Sequence, residues 1–175
     1  MEHRDHVHLL RGGVPGPGPI WADLGSGMGA FTLALADLLG PQGRIYSVDR
    51  DGAALHAQAR ALRARFPDVW VECRHQDFTQ PLALPPLDGV VMANSLHFQR
   101  DPATVLARVR DLLRPGGHLV IVEYNTDQGN LWVPYPLSYP AWAALAAGSG
   151  FKETRQLAAV PSRFLGEIYS ALSVR

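Results

Sequence analysis

Asp23-Leu24-Gly25-Ser26-Gly27-Met28-Gly29 decides the fold through what stands on either side of it. Before it runs Ile20-Trp21-Ala22-Asp23-Leu24, an apolar strand. After it, from about Gly29 to Leu39, Phe31, Leu35, Leu38 and Leu39 fall on one side of a helix that Gly40-Pro41 stops. Glycines at such a turn permit positive φ and let a ligand approach the backbone with no Cβ in the way. The first amides of the helix point outward unsatisfied and suit a carboxylate or a phosphate.

Outward from this turn, apolar strands and amphipathic helices alternate. Arg44 to Val48 is a second strand. Asp51 caps a helix on which Leu55, Ala59, Leu62 and Phe66 recur at helical spacing, and Pro67 ends it. Strands follow at Val69 to Arg74 and Asp88 to Ala93. Asp101-Pro102 opens a helix whose Val105, Leu106, Val109, Leu112 and Leu113 share a face. Arg114-Pro115-Gly116-Gly117 turns it into a fifth strand, His118 to Glu123. A helix near Ala141 to Ala147 precedes two more strands, at Thr154 to Ala159 and Leu165 to Leu172. On the N-terminal side, residues 3–11 form a short helix, and the Gly/Pro-rich stretch from Gly12 to Pro19 reads as a linker. Continuous apolar strands alternating with helices predict a doubly wound α/β sheet, mostly parallel, with helices on both faces.

A chain of 175 residues fits a single domain, 1–175. Hydrophobic residues at 47% and charged ones at 18% exclude intrinsic disorder. The 16 basic side chains balance 16 acidic ones, so the excess of charge that nucleic-acid binders carry is missing. Cys73 is the only cysteine, which forbids an internal disulfide and disfavours a thiolate metal cluster. His3, His6 and His8 have no carboxylate or thiolate cluster behind them, and no metal is expected. The N-terminal hexapeptide is charged and leads into no apolar stretch, and no run is long enough to span a bilayer. A cytoplasmic protein without membrane contact is expected.

Asp49 ends the second strand and, in a doubly wound sheet, lies beside the glycine turn, where it can accept both hydroxyls of a ribose. Two nucleotide cofactors compete for such a site. Gly25-x-Gly27-x-x-Ala30 formally satisfies the dinucleotide pattern, which would make the protein an NAD(P)-dependent oxidoreductase. Asp23 argues against it, because an acid at the strand tip would repel a pyrophosphate and attract an ammonium or sulfonium. Lys152 is the only lysine, so a Tyr-x-x-x-Lys pair is absent as well.

Asp23 to Gly29 resembles the D-x-G-x-G-x-G first motif of class I S-adenosylmethionine-dependent methyltransferases. The likeness continues in family order. Ile45-Tyr46-Ser47-Val48-Asp49 resembles the ribose-binding second strand, and Gln76-Asp77-Phe78 the adenine-binding segment. Asp88 to Asn94 is similar to the fourth-strand motif, and Leu112 to Gly117 to the turn before strand five. The resemblance implies a seven-stranded sheet of order 3-2-1-4-5-7-6 with the last strand antiparallel, and S-adenosylmethionine as cofactor. It also implies roles. Asp23 and the backbone of Gly25, Ser26, Gly27 and Gly29 would hold the methionine part, and Asp49 the ribose. Asp77 would accept from the adenine amine, the Phe78 amide would reach a ring nitrogen, Arg50 would lie along the adenine face, and Asn94 would line the floor beneath the methyl group.

Candidates for the acceptor side follow strands four and five, where open α/β sheets bind ligands. His97, in Asn94-Ser95-Leu96-His97-Phe98, could be a general base, orient an acceptor, or bond the following loop. Glu123 could bind a polar acceptor group or pair with an arginine, and Ser95 and Tyr124 stand beside these two. Residues 125–142 form the expected substrate-side loop, with Trp132 the candidate wall. Few residues precede strand one, so a roof must come from this loop, the N-terminal helix or a second subunit, which leaves a homo-oligomer open. The N-P-P-Y motif of nucleobase amine methylation is missing. These residues point to methyl transfer to a small molecule. The alternatives are a non-catalytic S-adenosylmethionine-binding module or partner subunit, an RNA methyltransferase, and the oxidoreductase above.

Overall fold

The apolar runs become the strands β1 (Ile20–Leu24), β2 (Arg44–Asp49), β3 (Trp70–His75), β4 (Leu87–Ala93), β5 (Leu113–Tyr124), β6 (Lys152–Ser162) and β7 (Gly166–Val174) in a computed structural model that describes all 175 residues. They form one sheet in the order β3-β2-β1-β4-β5-β7-β6. β7 runs antiparallel to both β5 and β6, and the remaining pairs are parallel. This is the expected class and strand order.

The helices α1 (His3–Arg11), α2 (Ala30–Leu39), α3 (Gly52–Arg65), α4 (Pro102–Leu112) and α5 (Tyr139–Gly148) cover both faces. One core joins Leu24, Met92, Leu106, Leu119, Trp142 and Tyr169 beneath α4 and α5. The other joins Leu10, Trp21, Phe31, Leu35, Ile45 and Val122 beneath α1, α2 and α3. Helix starts are fixed locally, since the Asp51 carboxylate accepts from the Ala53 and Ala54 amides and Asp101 accepts from Thr104. Because β1 lies between β2 and β4, the connection after β1 and the connection after β3 run to opposite sides of it. The resulting crevice opens at the carboxyl ends of β1 and β4, the switch point at which doubly wound sheets bind ligands.

Two boundaries near the site and one placement differ from expectation. β5 begins at Leu113, which pairs with Leu87; the ladder then shifts across Arg114 to Gly117 and resumes with His118 opposite Gly89. The expected turn is thus an irregularity inside a longer strand, held by the C-terminal Arg175, whose amide donates to the Gly117 carbonyl. α5 begins at Tyr139, because the Ser138 hydroxyl caps the Ala141 amide and Pro140 suits the first turn. The loop therefore ends before Trp142, which is buried in the core. Lastly, α1 is no roof. It docks on α2, with the His3 Nε2 3.0 Å from an Asp37 oxygen and the His6 ring edge-on to Phe31.

Gly89 shows how tightly the sheet is packed. A Cβ at this position would collide with the indole ring of the fully buried Trp21. Gly89→Ala is expected to destabilise the protein by about 1–3 kcal/mol through overpacking, read as a lower urea midpoint at an unchanged slope.

Candidate active site

The crevice is a cleft of about 650 Å³, and its wall carries Gly25, Gly27, Asp49, Arg50, Asp77, Phe78, Asn94 and Ser95, all singled out from sequence. Gln76, Thr79, Phe98 and Gln99 line it too. Gly25 has φ +80, and a Cβ there would sit 2.5 Å from that of Ser95. Both backbone conformation and space demand glycine. Asp49 fixes the turn through its Oδ2, which accepts the Gly27 amide at 2.7 Å, while its Oδ1 accepts the Asp51 amide at 2.8 Å. Each carboxylate oxygen keeps a second lone pair for a ligand. One oxygen of Asp77 accepts both the amide and the hydroxyl of Thr79, at 2.8 and 2.7 Å. These bonds hold its carboxyl below the ordinary range and leave the other oxygen free.

Asp23, Ser26 and Gly29 belong to the turn but lie beneath its open wall. Asp23 is 1% exposed, and its Oδ2 accepts the Thr32 hydroxyl from the first turn of α2 at 2.6 Å. Burial pushes this carboxyl up to about 7, against the pull of the Thr32 bond and with a further push from Asp49. The Thr32 oxygen accepts the Gln58 amide at 2.9 Å, and Gln58 Oε1 accepts the Ser47 hydroxyl at 2.7 Å, with the Ser26 oxygen 2.7 Å from that of Ser47. A Cβ on Gly29, at φ +85, would strike the Gln58 side chain. The glycine turn thus rests on a buried polar network. Gln58 was missed from sequence, although the helical spacing of Leu55, Gln58 and Leu62 places it on the buried face of α3.

Asn94 stands where β4 ends. It adopts φ +50, a left-handed conformation that asparagine tolerates better than most residues, and its amide donates to the Val122 carbonyl at 2.8 Å. Its Oδ1 is buried without a protein donor, in a residue that borders the cleft. The Ser95 hydroxyl is committed to the Leu24 carbonyl at 2.8 Å and ties β1 to β4.

His97 and Glu123 come together below Phe98. The His97 Nδ1 lies 2.6 Å from Glu123 Oε2, and Glu123 Oε1 accepts the Leu96 and His97 amides at 3.1 and 3.3 Å. Their side chains are 3% and 0% exposed. Glu123 therefore pairs with a histidine and two amides, and no arginine meets it. The carboxylate fixes the proton on Nδ1 and turns Nε2 toward other partners. The His97 carbonyl accepts the Tyr135 amide at 3.0 Å, so the residue also anchors the loop. Tyr124 packs beside the His97 ring at 6.2 Å, and burial together with the Glu123 charge raises its hydroxyl.

Trp132 is the exception among the expected wall residues. Its side chain is 74% exposed and does not border the cleft. Asn130 is the cause, since its Oδ1 accepts the Trp132 and Val133 amides in a turn that buries Val133 and sends Trp132 outward.

A family model for a methyltransferase domain matches residues 22–119. The chain belongs to that family and has the class I S-adenosylmethionine-dependent methyltransferase fold. It is 36% identical over 120 residues to an uncharacterized 37.1 kDa protein in transposon TN4556 of Streptomyces fradiae, covering 69% of this chain and 34% of that protein. A reducing polyketide synthase, grgA of Penicillium sp, is 27% identical over 166 residues, which cover 81% of this chain and 7% of the synthase. The chain spans about a third or less of the length of these curated relatives. Among solved structures, the Burkholderia thailandensis 1,6-didemethyltoxoflavin-N1-methyltransferase superposes with a TM-score of 0.77 at 20% identity, over 99% of this chain and 77% of that one.

S-adenosylmethionine is the cofactor of this family, and the cleft suits it. No atom lies within 4 Å of where a Cβ on Gly27 would stand, so the turn is open to a ligand. Asn94 offers an orphan acceptor, and the buried acid Asp23 sits under the turn without a cationic partner.

Proposed function

We propose that this chain transfers the methyl group of S-adenosylmethionine to a small-molecule acceptor bearing an acidic C–H or O–H, with His97 as general base. The observation that carries this reading is the buried Glu123–His97 pair at the side of a cleft built for a nucleoside. Solved structures of the same fold include a methyltransferase with 1,6-didemethyltoxoflavin and S-adenosylhomocysteine bound, and a polyketide synthase shares sequence with most of this chain.

S-adenosylmethionine supplies an electrophilic methyl group on a sulfonium, which leaves as a neutral thioether. Asp49 would accept the ribose hydroxyls while it holds the Gly27 amide. The free oxygen of Asp77 and the Phe78 amide would take the adenine edge, with Arg50 along its face. Asn94 would face the methionine end, above Asp23. Glu123 positions the imidazole so that His97 Nε2 takes up the proton the acceptor gives up as it is methylated. Alignment and exclusion of water supply the rest.

Asp49→Ala is expected to weaken binding of S-adenosylmethionine by about 1–3 kcal/mol, the order of a lost pair of charge-assisted hydrogen bonds. Calorimetric titration of a variant with unchanged circular dichroism reads this. Undiminished affinity would move the ribose elsewhere.

A further inference from the structure

Phe98 and Tyr124 flank His97, and Phe164 packs in turn on Tyr124. The Phe98 ring centroid lies 4.3 Å from that of His97 at an interplanar angle of 50°, and Phe98 also lines the cofactor cleft. On the other side Tyr124 meets His97 at 6.2 Å, and Phe164, from the turn between β6 and β7, meets Tyr124 edge-to-face at 5.8 Å and 67°. Phe98 is 53% exposed and Phe164 50%. The rings therefore run from the cleft, past the imidazole, to a hairpin turn that comes from the far edge of the sheet.

We infer that Phe98, Tyr124 and Phe164 form the acceptor subsite, and that it takes a planar, conjugated molecule. This rests on reading the cleft as the methyl-donor site. A half-exposed Phe98 on the buried pair, with a half-exposed Phe164 beyond Tyr124, is apolar surface of the kind that lines ligand grooves. The tilted and edge-to-face packing leaves ring faces uncovered, and a flat π system is the occupant that can use them, by offset stacking. The backbone beneath each ring is fixed. Phe98 ends a short 3-10 turn closed by the Gln99 amide to the Leu96 carbonyl, Tyr124 is paired with Ile168 across β5 and β7, and the Phe164 amide donates to the Ser162 hydroxyl at 3.2 Å. A rigid aromatic wall loses little entropy when it binds. Continuity with the cleft through Phe98 sets the occupant against the methyl-donor site, beside the ring that packs on His97.

The test uses the full chain saturated with S-adenosylhomocysteine, with 2-naphthol as the planar probe and cyclohexanol as its puckered control. Binding is followed by saturation-transfer NMR. The wild-type protein is expected to bind 2-naphthol at least tenfold more tightly than cyclohexanol. Phe98→Ala and Phe164→Ala should each erase most of that preference, and Phe164→Tyr should keep it. Phe164 lies at a turn and is half exposed, so its alanine variant should retain the wild-type unfolding temperature. Equal binding of the two probes, or a preference that survives both alanine variants, would overturn the assignment. So would a dimer that Phe164→Ala dissociates in sedimentation, since the rings would then be an interface between copies. Calorimetry with S-adenosylhomocysteine alone reads the donor site separately. If it fails to bind while naphthol still depends on Phe164, the cofactor reading falls and the aromatic subsite stands.

Discussion

His97→Gln is expected to lower the rate of methyl transfer by about 10²–10⁴-fold, the range typical of a lost general base. Affinity for S-adenosylmethionine should stay within twofold, because His97 does not border the cleft. Radiolabelled methyl transfer to a panel of phenolic and 1,3-dicarbonyl acceptors, with calorimetry alongside, measures both. Glu123→Gln separates the base from the group that positions it. The amide oxygen of glutamine can still accept the Leu96 and His97 amides that Glu123 Oε1 accepts now, so the fold should survive. What is lost is the carboxylate beside Nδ1. Its removal should therefore lower kcat with little change in KM, because the imidazole loses the partner that orients it. A purely structural role would instead lower activity in step with the unfolding temperature. Glu123→Ala would report less, since it strands buried donors and confounds activity with stability.

How far the sequence foretold this arrangement depended on distance along the chain. The glycine turn, Asp49, Asp77, Phe78 and Asn94 were legible because each sits at the carboxyl end of a strand, and strand ends follow from apolar runs and turn residues alone. The seven-stranded order was legible only through the family resemblance. The pairing of His97 with Glu123 was hidden by their separation. It follows from the parallel register of β4 and β5, with Ala93 opposite Val122, which sets Glu123, at the end of β5, beside the residues that follow β4. Side-chain orientation was harder still. Asp23 was expected in the crevice, but Thr32 in the first turn of α2 covers it. Trp132 was expected on the wall, and a single Asn130 turn points it away. Phe98 and Phe164 drew no attention because an isolated phenylalanine in a loop has no periodicity to read. Their meaning lies in the rings they face.

Asp23→Asn should have opposite effects on the empty protein and on its complex. Asp23 is fully buried, and its carboxyl is raised from 3.8 to about 7 chiefly by burial. The sign follows from linkage. In the unfolded chain the group ionises near its ordinary value, whereas in the folded protein it holds its proton until about pH 7. Folding stability from this group is therefore largest at low pH, falls as pH rises from about 4 to about 7, and stays at its lower level above that. The full excursion is worth roughly 4 kcal/mol. Asparagine cannot ionise, so the difference in unfolding free energy between variant and wild type should grow in the variant's favour across that window. The extra amide donors of asparagine, buried beside Thr32, offset part of the gain, leaving about 1–3 kcal/mol at pH 8. Urea unfolding of both proteins at pH 5 and pH 8 reads the difference, and an equal difference at the two pH values would remove the raised carboxyl from the account. The complex should respond the other way. A cation above the turn stabilises the ionised carboxylate, so the variant should bind S-adenosylmethionine about 10–100-fold more weakly, as expected for a lost buried charge partner. S-adenosylhomocysteine carries the ammonium without the sulfonium, and it decides which cation Asp23 serves. Equal losses for the two ligands would place the ammonium over Asp23, while a loss confined to S-adenosylmethionine would place the sulfonium there. Undiminished affinity for both would make Asp23 a buried support for the glycine turn, acting through Thr32 and Gln58 alone.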